Sequence, residues 1–379
     1  MSTEKALKAL YQSVKVRVPE IISNRVLNYN FEKTLNHDLK SDLKERILEK
    51  VFPEFNVMAI CPIANWEGQM LDELSRGNSY AHLDFGDRGF FDSKSEWLEF
   101  KHNNAELLSK FFEKNYDANK INLVFLYISD FHISDNIDYL KCQNTIVVLF
   151  TWDDRLNFKA KAYGQSTGIV NLAKQVDLVL NMTVSPLPRY KLNGISAINW
   201  NSLVANLLSE DDNSLDALPT VTDENIMFFG SNYGYREKIV EYLVSKKIPM
   251  KLYGSGWGTG FLSYDELWSK VPKVRLNLGI STVGYTKSVF CLKGRDFEVP
   301  GSGGLYLSSN SLELQEVYTP ETDILTYQNL EGCYAKCSDV LENPHLYEQI
   351  RKNGYQTANR YSWKRRIEAL FRLILIIGQ

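Results

Sequence analysis

Short apolar runs with no polar residue inside them recur along this chain, separated by segments of helical character. Val57-Met58-Ala59-Ile60-Cys61 is the first. Leu123-Val124-Phe125-Leu126-Tyr127-Ile128, Ile146-Val147-Val148-Leu149-Phe150 and Leu178-Val179-Leu180 follow. A strand with one wet face alternates apolar and polar side chains; these do not, so both faces must be covered. Strands of that kind, alternating with helices such as residues 105–116, require a parallel sheet flanked by helices.

The rhythm pauses in a polar stretch that opens at Ser209-Glu210-Asp211-Asp212-Asn213-Ser214 and runs through Pro219 to about Asn225. It reads as a linker between domains. The pattern then restarts. Ile226-Met227-Phe228-Phe229, Met250-Lys251-Leu252-Tyr253, Val274-Arg275-Leu276-Asn277-Leu278 and Leu305-Tyr306-Leu307 read as strands. Residues 236–245 read as a helix with Ile239, Val240, Leu243 and Val244 on one face, and Ser263 with Glu266 forms a capping box for another. Near the end, Leu330, Tyr334, Cys337 and Leu341 make one helical stripe. Asn343-Pro344 stops it, Gly354 can end the next helix, and Ser362 can cap the last. Residues 1–50 read as charged and helical, with Leu7, Leu10, Tyr11 and Val14 at helix spacing. The expected organisation is a helical segment over 1–50, an α/β domain over 51–210, a linker over 211–225, a second α/β domain over 226–360, and a C-terminal helix over 361–379 that packs back on the first domain. The chain's 379 residues are enough for two cores.

A net charge of −3 leaves no electrostatic footprint for a nucleic-acid partner. The five cysteines, Cys61, Cys142, Cys291, Cys333 and Cys337, follow a Lys-rich start without a secretory leader, so free thiols in a reducing cytoplasm are expected. Cys333 and Cys337 are four residues apart, which is helical spacing, and no second Cys or His pair accompanies them, so the expectation is core thiols and no metal. No stretch approaches the roughly 20 apolar residues of a membrane span. The apolar end, Leu370 to Ile377 after Lys364-Arg365-Arg366, is expected to pack on its own protein, with peripheral contact at a membrane face as the other reading.

The residues that can carry chemistry fall at strand ends. Gly230-Ser231-Asn232-Tyr233-Gly234-Tyr235-Arg236 leads from a strand into a helix; its free backbone N–H groups and Arg236 suit a phosphate. Tyr253-Gly254-Ser255-Gly256-Trp257-Gly258 follows the next strand. It is no dinucleotide fingerprint, since the third glycine would fall at Thr259, but it lets a ligand approach the backbone, with Trp257 as a wall. The third is Arg295-Asp296-Phe297-Glu298-Val299-Pro300-Gly301-Ser302-Gly303-Gly304. Glu298, an acceptor-only group, can take both hydroxyls of a ribose, and Gly303 and Gly304 leave room for amides at a phosphate. Each segment also has a plain reading as a turn. In the first half, Thr151-Trp152-Asp153-Asp154-Arg155 places two carboxylates at a strand's end; one can act as general base, the other being structural, and helix capping is the plainer reading. Asp84, Asp87 and Arg88 beside Gly86 and Gly89 form a weaker polar loop.

Those motifs carry a resemblance. Phe228-Phe229-Gly230-Ser231 with Arg236, Tyr253-Gly254-Ser255-Gly256-Trp257, the segment from Arg295 to Gly304, Gly354 and Tyr361-Ser362-Trp363-Lys364-Arg365-Arg366 resemble the nucleotide-binding domain of GT-B glycosyltransferases. The likeness is to the CgeB-like (spore-maturation-protein-like) branch of the group-1 superfamily; it covers residues 225–370, and Trp152-Asp153-Asp154 resembles that branch's first domain more loosely. The resemblance implies two Rossmann-like domains with parallel sheets facing across a cleft. It also implies metal-free transfer of a sugar from a nucleotide-diphosphate sugar to a glycan or protein hydroxyl, in surface polysaccharide or protein glycosylation, with no further cofactor. By position Glu298 is similar to the second glutamate of the superfamily's Glu-x7-Glu motif, which holds the donor ribose; Gly303 and Gly304 would lie by the donor phosphates, and Arg236 would contact the diphosphate. Eight residues before Glu298 stands Phe290 in place of the first glutamate, so the anomeric outcome stays open; Lys293 and Arg295 can help neutralise the leaving diphosphate. The set expected at a donor site is thus Gly230, Ser231, Asn232, Arg236, Tyr253, Gly254, Gly256, Trp257, Lys293, Glu298, Gly303 and Gly304, with Asp153, Asp154 and Arg295 as catalytic groups. The rival classes are a nucleotide-sugar epimerase and a non-catalytic binding protein on the same architecture.

Overall fold

The computed structural model describes residue 12, residues 55–63, 67–86, 91–133, 136–142, 145–152 and 154–201, and residues 218–378, without the side chains beyond 374. The helical expectation for 1–50, apart from Gln12, lies outside the described residues; so do Asp87, Arg88, Gly89, Asp153 and most of the polar linker. The chain divides into two compact units, 18–201 with 364–379, and 1–17 with 202–363.

The first unit holds six parallel strands: β1 (Asn56–Ile60), β2 (Ser79–Leu83), β3 (Leu123–Leu126), β4 (Ile146–Thr151), β7 (Leu178–Asn181) and β8 (Ala197–Asn199), in the order β2-β1-β3-β4-β7-β8. β5 (Ala160–Ala162) and β6 (Gln165–Thr167) form a separate antiparallel hairpin. All residues of β3, β4 and β7 are buried, as their unbroken apolar runs require. Helix Lys94–Asn119 covers one face, opened by Ser93 and closed by Lys120 at φ 50°. The last helix, Trp363–Gly378, stacks Phe371 on Phe55 at the head of this sheet, ring centroids 4.6 Å apart.

The second unit holds five parallel strands, β9 (Asp223–Phe229), β10 (Met250–Tyr253), β11 (Val274–Leu278), β12 (Tyr306–Ser309) and β13 (Leu325–Tyr327), ordered β10-β9-β11-β12-β13. β9 starts at Asp223, inside what composition marks as linker. Its polar head is held by ion pairs, Asp223 with Lys251 and Glu224 with Arg275, so polar residues extend a strand whose apolar part begins at Ile226. The capping box at Ser263 and Glu266 forms. Gly354 does not end its helix: Glu348–Asn359 runs through it, and a Cβ there would come 2.4 Å from the Asp323 carbonyl. Glycine serves close packing at this position.

What fixes the second sheet's carboxyl edge is Asp296, fully buried in helix Gly294–Gly301. Its carboxylate accepts from Tyr306 Oη (2.8 Å), Ser308 Oγ (3.0 Å), Ser281 Oγ (3.2 Å) and the Lys293 amide (2.6 Å). One side chain thus ties the helix start to β12 and to the segment after β11. Asp296→Ala strands several buried donors at once and is expected to cost about 3 kcal/mol or more, against about half that for Asp296→Asn, which keeps one acceptor oxygen; urea unfolding of the two variants measures this.

Candidate functional site

In open parallel sheets ligands sit beyond the carboxyl ends of the strands, where the strand order reverses. In the second unit that point lies between β9 and β11. The loops after β9 and β10 are fastened to each other: Gly230 N donates to Tyr253 O (2.9 Å), Asn232 N to Ser255 O (2.7 Å), and Asn232 Nδ2 to Gly256 O (3.2 Å). Trp257 does not stand as a free wall. Its indole N–H donates to Gly230 O at 2.7 Å and its ring meets Phe228 edge-on, so it staples the loops. Gly230 and Gly254 take φ 130° and 117°, values open to glycine, and a Cβ on Gly254 would lie 2.7 Å from Gly230 O.

Two buried guanidiniums converge on Gly230. Arg295, from the first turn of helix Gly294–Gly301, donates to Phe229 O (2.8 Å) and Ile280 O (3.3 Å), the chain ends of β9 and β11, and so spans the reversal point. Arg236 donates to Ser231 O (2.9 Å) and lies 4.2 Å over the Tyr233 ring. A Cβ at Gly230 would come 2.5 Å from Arg295 Nη1 and 3.5 Å from Arg236 Nη1. Arg295 forms no ion pair among the described residues, and its Nε is buried without a hydrogen-bond partner. Its guanidinium also lies 5.0 Å from the Phe228 ring centroid and 5.7 Å from that of Phe229; carbonyls and rings leave the buried charge uncompensated, and an anion would neutralise it. Lys293 sits at the cap of the same helix. Glu298 is buried one helical turn beyond Arg295, on the same side by spacing.

Gly303 and Gly304 lie elsewhere. They precede β12, at the amino edge of the sheet, and pack on Leu218, Asn277, Val299 and Val271. Their tight contacts are with core side chains, and Gly303 O accepts from buried Arg351. Of the remaining second-unit candidates, Gly230, Ser231, Asn232, Tyr253, Gly254, Gly256 and Trp257 form the two fastened loops, and Arg236, Lys293, Arg295 and Glu298 supply the charged groups.

A pocket of about 300 Å³ adjoins this cluster, lined among others by Tyr235, Thr282, Phe290 and Tyr327. In the first unit, a cavity of about 380 Å³ opens beyond the ends of β3 and β4 beside the β5–β6 hairpin, with Tyr127, Phe131 and Trp152 as aromatic walls and Asp130 and Asp154 as its carboxylates. Asp154 takes hydrogen bonds from Thr151 Oγ1 (2.6 Å), Asn181 Nδ2 and Tyr190 Oη. Burial and the Asp154 charge push the Tyr190 hydroxyl well above its ordinary pKa, so it stays a proton donor. Asp130 is missing from the sequence expectation; buried, it accepts from Gly168 N and Asn171 Nδ2, both at 2.8 Å. It is the fourth residue after β3, and the strand-end rule that singled out Asp153 and Asp154 applies to it equally. None of the five cysteines forms a disulfide, and Cys333 and Cys337 are core residues; no three His, Cys, Asp or Glu side chains cluster as a metal site among the described residues. No helix among the described residues is long and apolar enough to cross a membrane.

Comparisons with known proteins agree with this geometry. Residues 236–372 match a family model described as "Glycosyl transferase-like". No curated protein sequence matches the chain. Among solved structures, sucrose-phosphate synthase from Thermosynechococcus elongatus superposes with a TM-score of 0.56 at 12% identity, covering 85% of this chain and 99% of that one. Anabaena HepE in complex with UDP and glucose gives 0.55 at 11%, covering 84% and 99%. A UDP-N-acetylglucosamine 2-epimerase gives 0.50 at 13%, covering 86% and 97%. The two parallel sheets therefore have a GT-B-type fold, and residues 236–372 are similar to a glycosyl transferase-like domain.

Gly230→Ala is expected to displace the Arg295 guanidinium and weaken binding of inorganic pyrophosphate about tenfold or more by calorimetry. Gly68→Ala, where a Cβ meets nothing within 4 Å, leaves it unchanged.

Proposed function

We propose that this protein is a glycosyltransferase that moves a sugar, a hexose in the simplest case, from a nucleotide-diphosphate sugar to a hydroxyl of a glycan or protein acceptor. The observation that carries the reading is the pair of buried guanidiniums at Gly230, one of them without a carboxylate partner, at the reversal point of the second sheet. A diphosphate matches it in charge and in bidentate geometry. The matched family model over 236–372 supports the same class. Within that class we favour the CgeB-like branch, on Phe229-Gly230-Ser231, Gly254-Ser255-Gly256-Trp257 and Arg295 to Glu298.

In this reading the acceptor oxygen attacks the anomeric carbon, the bond from that carbon to the diphosphate oxygen breaks, and the diphosphate leaves with the electron pair. Arg236 and Arg295, with Lys293 at the helix start, offset the charge that develops there, the role a divalent cation plays in metal-dependent transferases. Glu298 grips the donor ribose through its hydroxyls. The first unit's cavity, with aromatic walls and two carboxylates, takes the acceptor; Asp130 or Asp154 receives its proton, and Asp153, next to Asp154 in sequence, is a third candidate. Surface polysaccharide or protein glycosylation, on the cytoplasmic side, is the setting we favour.

Nucleoside diphosphates are expected to raise the melting temperature, and Arg295→Ala to abolish the shift. Wild type is expected to bind UDP, or whichever diphosphate shifts most, more tightly than its 2′,3′-dideoxy form, and Glu298→Ala to lose that distinction. No shift with any nucleoside diphosphate sinks the proposal. Epimer formation from the donor without an acceptor would instead assign an epimerase.

A further inference from the structure

A pocket of about 300 Å³ in the second unit has no role in the reading so far. Three links place it next to Arg295 and Arg236. Tyr235 precedes Arg236 directly. Tyr327 Oη donates to Gly279 O at 2.9 Å, one residue before the Ile280 carbonyl that holds Arg295. Thr282 follows Ile280 by two residues. A group attached to a diphosphate on the arginines therefore has this space as its neighbour.

Its lining is uneven in a telling way. Thr282 is 3% exposed, yet its Oγ1 has no hydrogen-bond partner among the described residues. A buried hydroxyl left unsatisfied is costly, and a ligand group removes the cost. Ser309 Oγ donates to Tyr327 Oη at 2.9 Å, so those two hydroxyls are already engaged. The opposite character comes from Phe290, Ile239 and Leu330, which give the same pocket an apolar side. Phe290 is held in place by a backbone bridge to Thr282, so the apolar ring and the orphan hydroxyl are set in one register.

We propose that this pocket is the subsite for the transferred sugar and that it selects a 6-deoxy sugar, with a ring hydroxyl on Thr282 and the methyl group against Phe290. The proposal rests on the donor-binding reading above. Against the Phe290 ring itself a hydroxymethyl group loses water, whereas a methyl group gains contact.

Calorimetry with matched pairs tests this: UDP-glucose against UDP-6-deoxyglucose, GDP-mannose against GDP-6-deoxymannose, dTDP-glucose against dTDP-6-deoxyglucose, with the bare diphosphates as reference. The 6-deoxy member of the preferred pair is expected to bind roughly 10- to 100-fold more tightly, the range over which an apolar pocket resists an added hydroxyl. Phe290→Ser is expected to bring the ratio close to one. Thr282→Val is expected to weaken both sugar donors about tenfold while leaving the bare diphosphate unchanged, which also certifies the variant's fold. Equal binding of the pair, or a ratio indifferent to Phe290→Ser, overturns the sugar assignment while the diphosphate arm still stands. Failure of the bare diphosphates to bind overturns the donor reading itself, and this inference with it.

Discussion

A buried aspartate at the carboxyl edge of each sheet organises the rest. Asp296 gathers three hydroxyls and a backbone amide, and Asp154 gathers two hydroxyls and an amide side chain. A carboxylate in such a place is tolerable because donors surround it. Once so surrounded it is rigid, and it fixes where its chain neighbours point. Asp296 locks the start of its helix, and the next residue back, Arg295, is thereby aimed at the ends of β9 and β11. Structural and functional charge sit side by side: one residue's satisfied carboxylate positions the other's unpaired guanidinium.

The glycines complete that arrangement by absence of a side chain. Gly230 leaves the volume that Arg295 occupies, and Gly254 lets the second loop lie directly on the first. Preorganised charge of this kind needs no rearrangement when an anion arrives, which is why it stabilises developing charge better than water does. Trp257 contributes by holding the loops together rather than by offering its face.

Much of the fold is legible from the chain because buried parallel strands announce themselves as unbroken apolar runs. β1, β3, β4 and β7 are visible for that reason, as is the apolar part of β9 from Ile226. β2 (Ser79–Leu83), β8 (Ala197–Asn199) and β13 (Leu325–Tyr327) are not, since these edge strands are short or carry mixed residues. The loops of the candidate site are legible too, through glycine at strand ends. What sequence does not convey is direction along the sheet. Gly303 and Gly304 have the composition of a phosphate loop but precede a strand instead of following one. Thr282 carries no local signature, and its interest comes from burial and from what surrounds it.

Four of the five thiols, Cys61, Cys291, Cys333 and Cys337, are almost wholly enclosed. Burial pushes the Cys61 thiol far up, and hydrogen bonding to Cys337 together with burial does the same for Cys333, so neither presents a reactive thiolate in the native state. Alkylation at those sulfurs therefore counts opening events, with Cys61 reporting on the amino-terminal sheet and the Cys333–Cys337 pair on the other. Each half of the molecule thus carries its own internal clock for how often it comes apart.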